Sequence, residues 1–318
     1  MSIVEVIKNQ NFFQKLEEKF KENKFANSVM FFCEDSFTSE VVLIYTSLML
    51  NYPTYQLFDE KSAEYQRVLK DADLDIKLYP KNNEKLLVAD SNDIVMETYV
   101  KPVNRENKIF IIENIDKSTE QAQNKLLKVL EEPPKNVYFL ISCSQSDKVL
   151  PTIKSRCDKI NVEKLTDDEL KKICQSPLAC MLSEGYAGRA LMLEKNKELQ
   201  DIVDFAISLI CELKNSSQVL RFSREFQDRK GNMELVLKTF SLALEDMVKI
   251  KTEKEELCTL KEYLPMLKSV ESEFSVSAIC EINSLISHFL EKLQFNANLS
   301  MAVDNFMLKV LEVKYLCK

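Results

Sequence analysis

Apolar residues follow two regimes along this chain. Up to Val162, short runs that are apolar throughout alternate with stretches whose apolar residues recur every three or four positions; beyond it only the second pattern continues. In residues 2–24, Val4, Ile7, Phe12, Leu16 and Phe20 recur at near-helical spacing with Lys and Glu between them, which predicts one amphipathic helix. Residues 28–33 read as a buried strand, followed by a helix over 38–50 with Ser36 or Thr38 as its cap. Residues 51–72 are polar and irregular, 75–79 and 85–88 read as strands, and 92–99 as a helix. Lys108–Ile112 (KIFII) and Val137–Cys143 (VYFLISC) are the strongest strand candidates, with a further strand at 159–162. The helix between the first two, 118–131, opens on a Ser118-x-x-Gln121 capping pattern and is stopped by Pro133 and Pro134.

Strands that are apolar on both faces and interleaved with helices imply a parallel sheet covered on both sides, hence an α/β domain over residues 1–162. Thr166, Asp167 and Asp168 then open a helix, and 163–205 read as a small helical domain. Residues 206–318 read as helical throughout. Leu235, Phe240, Leu242 and Met247 belong to one amphipathic stretch, and Val276, Ile279, Ile282, Leu285, Ile286, Phe289 and Leu293 form a stripe at spacings of three and four, the pattern of an ordinary packed core.

Composition narrows the chemistry. Hydrophobic residues at 45% and charged residues at 29% describe a globular chain, and 318 residues suffice for two or three domains. No apolar run reaches the roughly 18 residues that span a bilayer, and residues 1–13 mix Glu5, Lys8 and Asn9 into an amphipathic start unlike a signal peptide, so a cytoplasmic protein without a membrane partner is expected. The nine cysteines form no CxxC pair and the single histidine is His288, so no metal site is expected. The net charge of −7 argues against a nonspecific grip on nucleic acid by the chain as a whole and leaves room for a local basic strip.

Glycine is the sharpest constraint. The three glycines are Gly185, Gly188 and Gly231, with none in the first 184 residues. A phosphate-binding loop or a dinucleotide fingerprint needs glycine where φ is positive or where phosphate approaches the backbone, so neither is expected in the N-terminal half.

The most informative block runs from Lys108 to Cys157. It contains the apolar strand, a helix with Gln123-Asn124-Lys125-Leu126-Leu127-Lys128, a Leu130-Glu131-Glu132-Pro133-Pro134 stop, a second apolar strand, and Leu150-Pro151-Thr152-Ile153-Lys154-Ser155-Arg156-Cys157. In this register it resembles the AAA+ clamp-loader family of bacterial replication. Looser similarity touches residues 27–32, the turn and helix 185–191, and a helix start in 296–304. The resemblance implies a RecA-like AAA+ sheet domain (1–162), a helical lid (163–205) and an all-α collar (206–318).

Within that family, three features of an ATP site are altered here. Aligned with the phosphate loop, Cys33, Ser36 and Thr38 stand at glycine positions and Ser39 at the lysine position; no lysine lies between Lys24 and Lys61. Glu34 and Asp35 add carboxylates where a polyphosphate would sit, and like charges repel. The family's Asp-Glu pair after the strand Lys108–Ile112 is Glu113-Asn114, and Asn114 cannot take a proton. The lid arginine falls at Gly188; Arg189, one position on, is turned away by about 100° on a helix.

What is kept is Ser155-Arg156-Cys157, whose arginine in the family reaches the neighbouring subunit's ATP as an arginine finger. The resemblance therefore implies a non-hydrolysing subunit with no cofactor of its own, acting in trans through Arg156. Its implied partners are gamma/tau and delta clamp-loader subunits and, indirectly, the sliding clamp and primer-template DNA. The family's four-cysteine zinc module has no counterpart in residues 51–72. Lys125 and Lys128 share a helix face near Lys117, and read either as a DNA contact or as a solvated surface. Two alternatives stay open: a weakly active clamp-loader ATPase, and a degenerate AAA+ scaffold serving another assembly.

Overall fold

The computed structural model describes residues 1–81, 85–294 and 299–316. They divide into two compact units, Met1–Glu194 and Lys195–Lys318.

The first unit is built on five parallel strands, β1 (Ser28–Phe32), β2 (Ile76–Tyr79), β3 (Lys108–Ile112), β4 (Val137–Cys143) and β5 (Asp158–Asn161), in the order β2-β3-β4-β1-β5. Its helices are α1 (Ile3–Lys8), α2 (Asn11–Lys21), α3 (Ser36–Asn51), α4 (Ala63–Leu69), α5 (Val88–Thr98), α6 (Glu120–Glu131), α7 (Pro151–Lys154), α8 (Asp167–Ile173), α9 (Pro177–Leu182) and α10 (Ala187–Glu194). The pleat sends alternate residues to opposite faces. Met30, Phe110, Ile112, Phe139 and Ile141 point to one side and share a core with Leu126, Val129 and Leu130 of α6 and Ile94 of α5. Phe110 stacks on Phe139 there, with ring centroids 5.4 Å apart. The other side meets α3, which is buried around most of its circumference from Val41 to Leu50, as a helix enclosed by a sheet and other helices must be.

The strands at Lys108–Ile112 and Val137–Cys143 lie where their apolar runs predict. Four other expectations are corrected. Residues 2–24 form two helices, because Gln10 is extended and buried and shifts the register between Ile7 and Phe12. Residues 85–88 are no strand: they lead into α5, and Leu86 is simply a buried side chain on the way. The stretch 51–72 contains α4, which buries Tyr65 and Val68. The cap of α6 is Thr119, whose hydroxyl accepts from the Ala122 N–H, while the Ser118 hydroxyl donates to the Ile115 carbonyl. At the start of α8, Thr166 and Glu169 make the reciprocal capping box.

The second unit comprises α11 (Leu199–Glu212), α12 (Ser216–Asp228), α13 (Met233–Lys251), α14 (Leu264–Val270), α15 (Val276–Gln294) and α16 (Leu299–Leu316). Phe205, Phe222, Phe226, Phe289 and Phe306 interlock in its core, with Phe289 and Phe306 closest at 4.9 Å between centroids. A buried cation closes it: Lys314 of α16 donates to the Ile210 and Leu213 carbonyls at 3.2 and 3.3 Å and pairs with Glu273 at 2.9 Å. An expected border between residues 205 and 206 would cut through the unbroken α11; helices α8 to α10 belong with the sheet. The helix start at 296–298 lies outside the described residues. No helix is long and apolar enough among those described to cross a membrane.

Candidate functional site

Beyond Phe32 the chain turns through residues 33–35 into α3, the strand-to-helix junction where backbone N–H groups and a helix N-terminus can cradle an anion. Here a side chain takes that place. Asp35 is the cap of α3, in place of the expected Ser36 or Thr38, and its Oδ2 accepts from the Thr38 N–H at 3.3 Å and the Thr38 hydroxyl at 2.5 Å. A third donor reaches the same oxygen from the first turn of α10: the Gly188 N–H, at 2.7 Å. A Cβ on Gly188 would lie 2.5 Å from both Asp35 Oδ1 and the Phe37 Cβ, so glycine is required by close approach.

The surroundings reinforce the mismatch with phosphate. Glu34 accepts from the Tyr186 hydroxyl, and the Lys164 ammonium lies 4.4 Å from the Tyr186 ring centroid. Ser36 is exposed in the first turn of α3, whereas Thr38 and Ser39 are buried, and the Ser39 hydroxyl has no hydrogen-bond partner. Cys33 donates to the Asp35 carbonyl, and burial pushes its thiol up to about 11. Arg189 turns back to Glu184 at 2.9 Å with its guanidinium beside Tyr186. A cleft of about 230 Å³ remains, with Glu34, Asp35, Glu163 and Lys164 on its walls. These residues do not fit a polyphosphate: the Thr38 and Gly188 donors are held by a carboxylate, and residues 33–35 carry two negative charges and no cation.

The end of β3 carries Glu113 and Asn114. Burial, with Glu40 close by, pushes the Glu113 carboxyl up to about 7, and burial raises Glu40 as well. Asn114 occupies the left-handed region at φ 50°, which asparagine tolerates, and its N–H donates to the Ser142 hydroxyl at 2.8 Å. Among the described residues no three His, Cys, Asp or Glu side chains are grouped as metal ligands.

The Ser155-Arg156-Cys157 motif follows the short helix α7. Ser155 donates to the Thr152 carbonyl at 3.1 Å, and Cys157 sits in the sheet core, its thiol pushed up to about 12 by burial. Arg156 between them is partly exposed. Its Nε and Nη2 donate to Glu131 Oε2 at 3.1 and 2.7 Å, and its Nη1 to the Thr152 carbonyl at 2.9 Å. Sequence reasoning missed the side chain that fixes this corner. Gln123 of α6, fully buried, donates to the Ile115 and Lys148 carbonyls at 3.4 and 3.2 Å and accepts from the Leu150 N–H at 2.9 Å. One amide thus ties the loops after β3 and β4 to the start of α7. Nearby, buried Asp116 accepts from the Ser144 N–H and hydroxyl at 3.0 and 2.8 Å. Lys117, Lys125 and Lys128 are exposed, and none makes an ion pair among the described residues.

A family model described as DNA polymerase III, delta subunit, matches residues 8–166, half of the chain. A DNA polymerase III subunit delta′ from Buchnera aphidicola is 52% identical over 52 residues, covering 16% of each chain. One from Haemophilus influenzae is 36% identical over 86 residues, covering 27% of this chain and 26% of that one. A gamma/tau subunit from Mycobacterium bovis is 35% identical over 69 residues, or 22% of this chain and 12% of that one. The matched stretches thus span about a quarter or less of those relatives' lengths. In fold, the chain is similar to a DNA polymerase III gamma subunit-related protein from Thermotoga maritima, with a TM-score of 0.51 at 17% identity over 94% of this chain and 99% of that one. The family match covers the whole five-stranded sheet and the Ser-Arg-Cys corner together, and on it the chain belongs to the DNA polymerase III delta-subunit family, on the delta-prime side of the clamp loaders that its sequence resembles.

Proposed function

We propose that this chain is a delta-prime-type clamp-loader subunit that does not hydrolyse ATP itself and presents Arg156 to ATP bound by a neighbouring gamma/tau-type subunit. One observation supports the reading: at the C-terminal edge of one sheet, Asp35 caps the helix after β1 and bonds Gly188, while Arg156 stands partly exposed with its guanidinium fork held by a surface carboxylate. A guanidinium keeps its charge at any working pH and matches phosphate oxygens with paired donors. Its bond to Glu131 is solvent-facing and therefore weak, so a phosphoryl group in the adjoining subunit can displace it. Gln123 and the buried Cys157 hold the flanking backbone, so the arginine is delivered from a fixed base.

In this reading residues 163–194 act as the lid and 195–318 as the collar through which the chain assembles with gamma/tau and delta subunits. Lys125 and Lys128, with Lys117, face primer-template DNA while the complex places the sliding clamp. The test is Arg156→Ala in a complex reconstituted so that the adjoining subunit is the one competent ATPase. Assembly should be unchanged and DNA-stimulated hydrolysis should fall by about a hundredfold or more; undiminished turnover would sink the finger. Titrating the isolated chain with ATP tests the other half, since micromolar binding would favour a working ATPase.

A further inference from the structure

We infer that Asp35 is an internal anion that latches helices α8 to α10 onto the sheet, so that this unit holds its closed arrangement with no nucleotide. The inference deepens the proposed function and rests on the reading that the chain uses no ATP of its own. Three observations converge. The Asp35 carboxylate bonds donors on both sides of the junction: Thr38 on α3, which is packed on the sheet, and Gly188 on α10. The approach is so close that no side chain fits at Gly188. A second carboxylate next to it, Glu34, takes the Tyr186 hydroxyl from the turn before α10.

The chemistry is that of anion binding turned inward. Unpaired N–H groups at the first turn of a helix favour negative charge, and charge-assisted bonds to them are about twice as strong as neutral ones. A bound nucleotide can bridge a sheet and a lid only while it is present. A carboxylate on the chain bridges them permanently. At the far side of the same helices the N-terminal ammonium of Met1 donates to the Lys172 carbonyl of α8 at 3.1 Å, and α1 packs against α8, so the lid is fastened at two separated points.

The experiment is amide hydrogen exchange on the full chain, read over residues 187–194. In the wild type, protection there should be the same with and without millimolar MgATP. Asp35→Ala should speed exchange across 187–194 by about tenfold or more, with β3 and β4 unchanged. Should that variant fail to fold, Asp35→Asn keeps the shape and removes the charge, and should give a smaller increase confined to the same residues. Gly188→Ala should open the same segment by displacing the carboxylate. Wild-type protection in Asp35→Asn and Gly188→Ala would overturn the latch, as would lid protection that rises when MgATP is added. Turnover with Arg156→Ala bears on the finger alone, so the latch and the finger can fail separately.

Discussion

The end of β1 and the approach to α7 leave the sheet side by side: Phe32 and Cys143, the last residues of β1 and β4, are register partners. Beyond Phe32 the polar groups look inward. Asp35 bonds Gly188, and Glu34 bonds Tyr186. Beyond Cys143 the inward polar group is Gln123, and the arginine it supports looks outward. The difference teaches that neighbouring ends of one sheet can hold their polar groups in opposite ways. At β1 a carboxylate stands at the helix start, where an anion could otherwise bind. At α7 a buried amide ties down the loops around the arginine.

If the corner at α7 is held by Gln123, removing that amide should produce the largest effect. Gln123→Ala leaves the Lys148 carbonyl and the Leu150 N–H without their partner, while the Ile115 carbonyl keeps Ser118, and should cost about 2–3 kcal/mol, measured as a shift in the denaturant midpoint. In the reconstituted complex it should also slow the neighbour's hydrolysis, because Arg156 loses its fixed base. A fall in stability with turnover intact would break the link between the two.

The end of β3, where Glu113 lies near Glu40 of α3, is tested through pH. The Glu113 carboxyl stands at about 7 when folded, against an ordinary 4.5, so between these values the folded chain binds more protons than the unfolded one. Its contribution to stability is therefore fully present below about pH 4.5, declines as pH rises, and is lost above about 7. Glu113→Gln should remove that decline and stabilise the chain at pH 8 by on the order of 2 kcal/mol, with little change at pH 5. A slope as steep in the variant as in the wild type would rule Glu113 out as its source. The smallest effect belongs to Glu131→Ala. It cuts the surface pair with Arg156 and should change stability by less than about 0.5 kcal/mol, while leaving the guanidinium freer to reach a neighbour. A large destabilisation would mean that Arg156 is structural.

Much of the sheet was legible because a parallel strand buried on both faces is apolar along most of its length, as in Lys108–Ile112 and Val137–Cys143. Residues 85–88 misled for the same reason in reverse: a short apolar run bears no mark that separates a strand from the entry to a helix. The caps Asp35 and Thr119 were misplaced by one residue or more because several polar candidates stand together at each helix start. The absence of glycine and lysine after β1 was visible in the sequence, but the Asp35–Gly188 bond was not, because it joins residues far apart in sequence. Gln123 did leave a signal. It shares the helical stripe of Leu126, Leu127 and Leu130, and a polar residue in an apolar stripe is a buried group that must find partners.

Lys314 has a consequence for how the molecule is made. The carbonyls it caps lie about a hundred residues earlier, at Ile210 and Leu213, and α16 also packs against α12 and α15. During synthesis α11 can meet α13 and α14 early, whereas α12, with Phe226, gains its α16 partner only once Phe306 has been made. The α/β unit, whose strands all lie before residue 162, can complete its sheet meanwhile, so the two units mature at different times.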